Sequence, residues 1–149
     1  MLTLLLLSLA GAVISAAVGT LWYSNKTPMG KLHLRYLGFD ALSAEEQKAK
    51  VEEMKPKMVK MYAGQLVLSF LTAFATVFIV VMSVRNGVPL LLALGFVAFN
   101  WLCFMVPLIG SSILWGNVDR EIAWKKFLSD IAANLVTLVL IVLLTSFFV

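Results

Sequence analysis

The residues best suited to chemistry lie on both sides of a short charged turn between two apolar segments. Ser111 and Ser112 end the first segment, and Asp130 and Asn134 lie near the start of the second. Asp130, Asn134 and Thr137 follow i, i+4, i+7 spacing, so a helix places them on one face. A carboxylate there could hold or relay a cation or a proton, because ionisable groups within membrane segments mark such pathways.

The same carboxylate also has a structural interpretation. Asp130 could accept hydrogen bonds from polar side chains on the other helices and lock those helices together, or it could lie in water near the helix start. In a compact bundle, the polar and aromatic residues at the same ends of the spans converge at one depth. The candidates for such a pocket or ion site are Asp130, Asn134, Ser111, Ser112, Gln65, Tyr23 and Trp22.

Most kinds of catalytic or cofactor site are excluded by residue types. The chain contains one histidine, His33, and one cysteine, Cys103, so a bis-histidine haem, a Cys/His zinc site and an internal disulfide cannot form within it. Motifs for triad hydrolases, zinc proteases and phosphate-binding loops are missing. We therefore predict no cofactor and no metal. We expect Cys103 to be a buried free thiol, because it sits in an apolar run, and His33 to be a packing residue.

The composition is that of an integral membrane protein. Hydrophobic residues make up 61% of the 149 residues and charged residues only 13%, against about 25% charged in ordinary soluble domains. The mean hydropathy is +0.95 and the isoelectric point is near 9.4. Because the Lys and Arg lie in connections beside apolar segments, we expect anionic lipid headgroups, and no nucleic acid, as their counterpart.

Four apolar segments have the length of about 20 residues that a bilayer core requires. We therefore predict an all-α integral membrane protein in which residues 1–149 form one domain. No Lys or Arg precedes the first segment, which favours a span over a signal peptide. Pro107 predicts a kink in the third span, and Asp119 predicts the start of the last helix. The predicted spans are about 2–23, 61–84, 89–115 and 127–149.

The connection between the first two spans, residues 24–60, is the only long one. A threonine N-cap followed by proline predicts an amphipathic helix over residues 28–37, lying in the headgroup plane. A capping-box pattern at Ser43 and Glu46 predicts a second helix. Pro56 should break or kink this second helix where it becomes the second span.

The basic residues are distributed asymmetrically along the chain. Four spans place the connections 24–60 and 116–126 on one side, and both termini with the turn 85–88 on the other. All twelve Lys and Arg except Arg85 lie on the first side. The positive-inside rule therefore predicts a multi-pass protein of the plasma (inner) membrane, with cytoplasmic connections and both termini outside.

Two stripes of small or polar residues predict helix contacts or a path across the membrane. Gly11, Ser15 and Gly19 lie at i, i+4, i+8 on the first span, and such a stripe lets another helix approach closely. A helix that merely tolerates small residues is the alternative. The second stripe runs along the second span and consists of Ser69, Thr72 and Thr76. Together with Asn100 in the third span, these residues are the pore candidates.

Short motifs around the end of the first span resemble those of a known family. Gly19-Thr-Leu-Trp-Tyr-Ser24, Met29-Gly-Lys and Leu37-Gly38 are similar to a bacterial membrane family catalogued as domain of unknown function 1761. Its members show Gly-x-x-Trp-Tyr-Ser and a Phe-Gly-Lys-like segment at these places, and Met29 stands where Phe is expected. The resemblance covers essentially the whole chain. It implies a compact four-span membrane protein and supplies no activity.

Two classes of function compete, and an enzyme comes third. The first is an oligomeric channel or transporter for a small solute or ion, which requires a continuous polar file across the membrane. The second is an accessory or structural membrane protein that binds a larger membrane complex or lipid, which predicts polar residues at one end only and a broad apolar outer face.

The last span weakens the transport interpretation. It is apolar between Thr137 and Thr145. The sequence still favours transport slightly, because many proteins of this size and shape are pores. In either case the expected partners are membrane lipids, further copies of the chain, or other subunits of a membrane complex.

Overall fold

A computed structural model describes residues 1–116 and 118–149, and every regular element in these ranges is a helix. The elements are α1 (Leu2–Trp22), α2 (Pro28–Tyr36), α3 (Ala44–Arg85), α4 (Leu90–Asn100), a π-helical turn (Trp101–Met105), α5 (Val106–Leu114) and α6 (Arg120–Ser146). Four helices are long and apolar enough to cross a membrane: α1, α3, the helix formed by α4 through α5, and α6. The predicted all-α class with four such helices is confirmed.

Three helices begin at the residues that the sequence marks as caps. The Thr27 hydroxyl accepts a hydrogen bond from the Gly30 amide at 2.9 Å. Ser43 and Glu46 form a reciprocal capping box, and the Asp119 carboxylate accepts from two backbone amides in the first turn of α6. Each cap satisfies amides that a helix start leaves without intrahelical partners.

The two prolines inside predicted helices have different effects. α3 continues through Pro56, so the break predicted there is wrong. The Glu52 carbonyl, which loses its amide partner, lies in an exposed part of the helix where water can donate to it. Pro107 follows the π-helical turn at the start of α5. The wider turn relieves the clash of the proline ring with the Cys103 carbonyl four residues earlier.

The core lies where α3 and α6 meet α1 on one side and α4 on the other. The first cluster contains Leu7, Ala73, Val77, Val81 and Ile141, and the second contains Val80, Val97, Leu138 and Val142. The span from α4 through α5 is peripheral, with 11% of its most apolar window buried against 33% for α3 and α6. Cys103 in this span is exposed, so its predicted burial is wrong.

The contact between α1 and α3 depends on small residues. A Cβ atom on Gly11 would lie 2.8 Å from the Cβ of Ala73, which is closer than van der Waals contact. One turn later, the Ser15 hydroxyl donates to the Ser69 hydroxyl at 3.1 Å. Gly19 has open space around its Cβ position within the described ranges. Two residues of the stripe therefore lie in a helix contact inside one chain.

Enlarging the small residues should separate α1 from α3. We expect Gly11→Leu and Ser15→Leu each to lower the free energy of unfolding by about 1–3 kcal/mol, because the added atoms overfill a packed contact. Thermal unfolding in detergent measures the effect, with Leu5→Ile on the exposed side of α1 as the control. Unfolding curves that match the control would show that the stripe is not a packing contact.

Candidate functional site

A lysine and an aspartate on one face of α6 form the centre of the candidate site. Lys126 and Asp130 are an ion pair one helical turn apart, with only 7% of the lysine side chain and 22% of the aspartate side chain exposed. Removing two charges from water costs several kcal/mol per ion, which the pair offsets only with good geometry and further hydrogen bonds. The surrounding residues supply those bonds.

The end of α1 is bonded to α6 by two adjacent aromatic residues. The Tyr23 hydroxyl donates to Oδ1 of Asp130 at 2.6 Å. The indole Nε1 of Trp22 donates to the hydroxyl of Ser129 at 3.0 Å. Both donors carry large apolar rings that fit the boundary of a membrane, while their polar atoms find partners within the protein. The end of α1 is therefore held on α6 by hydrogen bonds in addition to packing.

The Lys126 ammonium also lies near the rings of two tyrosines. Its Nζ is 5.0 Å from the ring centroid of Tyr23 and 5.6 Å from that of Tyr36. A cation within about 6 Å of an aromatic face is attracted by the ring quadrupole. Tyr23 follows α1 and Tyr36 ends α2, so this one lysine connects three helices.

The connection between α1 and α2 folds back tightly enough to bring Tyr36 to this position. The Thr27 hydroxyl donates to the Trp22 carbonyl at 2.7 Å. A Cβ atom on Gly30 would lie 1.9 Å from the carbonyl oxygen of Ser24. Only glycine allows this approach of α2 to the preceding backbone. The Met29-Gly-Lys motif thus has a structural role in seating α2 against the end of α1.

His33 completes the cluster from α2. Its ring centroid is 5.0 Å from that of Tyr23, and its Nδ1 is buried without a partner among the described residues. Burial, and after it the nearby Lys126 ammonium, hold the pKa of His33 below its ordinary value of 6.5, although Asp130 acts in the opposite direction. The imidazole is therefore neutral at neutral pH and packs on the tyrosine ring, as the sequence suggested.

The lowered pKa of His33 predicts a dependence of stability on pH. The unfolded chain binds a proton at His33 more readily than the folded chain does. The contribution of neutral His33 to the free energy of unfolding is therefore full above about pH 6.5, and it is lost as the pH falls through the pKa of His33 in the folded state. We expect the thermal midpoint in detergent to fall between pH 7.5 and pH 5. The fall should be smaller in His33→Phe, which keeps a ring against Tyr23; an equal fall in both proteins would contradict the assignment.

Among the described residues, none of the other pocket candidates is hydrogen-bonded to Asp130. Ser111 and Ser112 are exposed, and the Ser112 hydroxyl donates to the Ile109 carbonyl of its own helix. Gln65 is exposed and donates to Ser69 at 3.4 Å. Oδ1 of Asn134 is buried and has no partner in the described ranges. Of the predicted pocket, the structure thus brings together Asp130, Tyr23 and Trp22.

The pore candidates on α3 lie on one side of that helix and Asn100 lies on α4, but the four residues do not all border one space. Ser69 faces α1 through its hydrogen bond with Ser15. Thr72, Thr76 and Asn100 border a groove of about 290 Å³ between α3 and α4, whose other lining residues are apolar. Thr76 is buried and donates to the Thr72 carbonyl of its own helix at 2.9 Å, while Asn100 is exposed. The groove is a lateral feature of the bundle.

Three residues of the cluster did not emerge from the sequence. The sequence pattern places Lys126 among the basic residues of the connection and indicates no partner for Ser129 or Tyr36. The i, i+4 spacing of Lys126 and Asp130 is a signal that could have paired them. Their contacts with α1 and α2 depend on long-range packing, which no local pattern contains.

Both charges of the cluster have partners within the chain. The carboxylate of Asp130 has both a cation and a hydroxyl as partners, and the cation has a carboxylate and two rings. Among the described residues, no group of three His, Cys, Asp or Glu side chains could hold a metal. The arrangement can therefore fix helices to one another and can respond to protons through His33.

One protein-family model matches nearly the whole chain. A family model described as "Protein of unknown function (DUF1761)" matches residues 6–146. This chain belongs to the DUF1761 family. No curated protein and no solved structure matches it. The matched range runs from within α1 to the end of α6, so it contains Lys126 and Asp130.

Proposed function

We propose that this protein is a structural or accessory membrane protein that works by binding other chains within the bilayer. The observation that favours this function over ion transport is the state of Asp130, which is paired with Lys126 and accepts from Tyr23 inside the chain. A carboxylate that binds a transported cation needs an oxygen atom that is free to contact that cation. Here a buried lysine already supplies the counter-charge, so the cluster acts as a lock between α1, α2 and α6.

The packing of the bundle supports the same function. Val77, Val80 and Ile141 are completely buried between the helices. Thr145, beside them on α6, donates to a carbonyl of its own helix at 2.7 Å. A polar solute that crossed the membrane through a single chain would have to pass these apolar side chains. That passage costs free energy, which a continuous row of polar side chains would avoid.

The outer surface supports association within the membrane. Large apolar side chains are exposed on every span, among them Leu91 at 81% and Leu108 at 70% exposure on the span from α4 through α5. That span is also the least buried of the four. In a membrane such a surface contacts lipid tails or the helices of other subunits.

We further propose a multi-pass protein of the plasma (inner) membrane with both termini outside and the basic connections in the cytoplasm. The asymmetry of Lys and Arg supports this orientation. The exposed basic residues on and beside α2 would then face anionic headgroups of the cytoplasmic leaflet, each contributing about 1 kcal/mol. Lipids are thus a second class of partner.

The orientation predicts how single cysteines react in intact cells. In a Cys103→Ala background, we expect Lys50→Cys to be protected from a membrane-impermeant maleimide, because residue 50 lies in the long basic connection. A cysteine added after Val149 should react readily. Reaction of both positions, or the reverse pattern, would contradict the orientation.

Transport is the second candidate function, and the groove between α3 and α4 favours it. Thr72, Thr76 and Asn100 all border that groove, so a path for a small solute could form where two or more copies bring such grooves together. This version of the channel requires an oligomer, since the interior of one bundle is filled.

Flux through proteoliposomes distinguishes the two functions. We expect purified protein to pass protons, K⁺ and Na⁺ at the rate of empty liposomes. The matched variant is Asn100→Leu, which removes the amide from the groove border and leaves Thr72 and Thr76 in place. Flux above the empty control that Asn100→Leu removes, with normal folding, would overturn the accessory function in favour of transport.

A further inference from the structure

The exposed edge of α4 that borders the α3–α4 groove carries an amide. Asn100 is exposed, and so are the neighbouring rings of Phe96 and Phe99, at 47% and 64%. Asn100 lies ten residues after the start of α4 and is followed by the apolar π-helical turn and α5. A carboxamide at this depth of a span would meet lipid tails unless another polar group covers it.

The groove beside Asn100 offers only a partial partner. Its polar border residues on α3 are Thr72 and Thr76. The Thr76 hydroxyl is engaged with the carbonyl of Thr72 in its own helix. The rest of the lining, including Leu71, Ala75 and Ile79, is apolar. This surface therefore has one polar group, the Asn100 amide, that lacks a hydrogen-bonding partner among the described residues. Beside it lies a mainly apolar groove that another apolar side chain could occupy.

We propose that this face binds a second copy of the same chain, with the Asn100 side chains of the two copies paired across a twofold axis. A carboxamide carries both donors and an acceptor, so it is complementary to itself, which a twofold contact requires. Amide pairs of this kind join helices within membranes. The span that carries Asn100 is also the least buried of the four spans, at 11% of its apolar window.

The groove gives the contact a second component. We expect a twofold contact at Asn100 to bring the exposed Phe96 ring, one turn earlier on α4, towards the α3–α4 groove of the other copy. The groove, of about 290 Å³, has room for such an apolar ring. This contact rests on the proposed function, in which the protein binds other chains within the bilayer. It names a second copy of this chain as the one that is bound.

Cross-linking through the native cysteine tests this contact. Cys103 is exposed and lies three residues after Asn100, so a short bismaleimide should join two copies in liposomes at low protein density. The control is Val13→Cys in a Cys103→Ala background, since Val13 is exposed on α1 away from this face. We expect strong cross-linking through Cys103 and only collisional cross-linking through position 13.

The amide itself is tested by two substitutions at position 100. Asn100→Leu should raise the protein-to-lipid ratio needed for half-maximal cross-linking about tenfold, because interhelical polar bonds in membranes contribute modest energies. Asn100→Gln keeps a carboxamide and should retain much of the cross-linking. If Asn100→Leu cross-links as the wild type does, the amide pair is overturned.

Two outcomes separate this contact from the proposed function. Equal cross-linking through Cys103 and position 13 would overturn the second-copy contact, whereas binding to a different membrane protein would leave the accessory function standing. Flux that Asn100→Leu removes would overturn the accessory function even if Cys103 cross-links two copies.

Discussion

Asp130→Asn should lower the free energy of unfolding by about 3 kcal/mol or more. The substitution keeps the shape of the side chain but leaves the buried ammonium of Lys126 without its counter-ion, and breaking one half of a buried pair typically costs about 3–5 kcal/mol. The pair has 7% and 22% of its two side chains exposed. Unfolding of the purified protein in detergent, followed by temperature or by added denaturant, measures the change.

Two controls isolate the effect of the buried charge. Glu121→Gln breaks the exposed ion pair with Lys125 on the same helix and should change stability by less than about 0.5 kcal/mol. The double variant Lys126→Met/Asp130→Leu removes both charges and should recover much of the stability lost in Asp130→Asn. A double variant no more stable than Asp130→Asn would show that the charge of Lys126 is not the cause.

Gly30→Ala should release α2 from the end of α1. The added methyl group would lie 1.9 Å from the Ser24 carbonyl oxygen, and a backbone atom cannot move aside as a flexible side chain can. We expect a loss of more than about 2 kcal/mol in the free energy of unfolding. We also expect faster amide hydrogen exchange over residues 28–36.

The matched control for this substitution is Gly64→Ala. Gly64 lies in α3 with open space at its Cβ position, so alanine there should be neutral or slightly stabilising through its better helix propensity. If Gly30→Ala exchanges over residues 28–36 at the wild-type rate, α2 is not held by the close approach of Gly30.

The elements that were predictable from the sequence are those with local causes. Long apolar segments predicted the four membrane-length helices, and Thr27, Ser43 and Asp119 predicted helix starts because each cap acts on amides two or three residues away. These helix starts are confirmed. The effect of Pro56 was not predictable in this way, because one lost hydrogen bond weighs little in a helix of 42 residues.

The features that escaped prediction depend on which face of an apolar helix meets a neighbour. In a span that is apolar all round, periodicity does not separate the lipid-facing side from the buried side. Cys103 was therefore expected inside, although its span packs at the periphery. The pairing of Asp130 with Lys126 did have a local signal in their i, i+4 spacing. The contacts of this pair with Tyr23 and Tyr36 had none, because they depend on long-range packing.

The central claim, that this DUF1761 protein acts by binding other chains within the membrane, is tested most directly by its mass in native membrane particles. The wild type should be extracted with its surrounding lipid by a polymer, without detergent, and weighed by native mass spectrometry. We predict particles that contain two copies, or one copy with another membrane protein. Particles that contain a single copy and no other protein would contradict the claim.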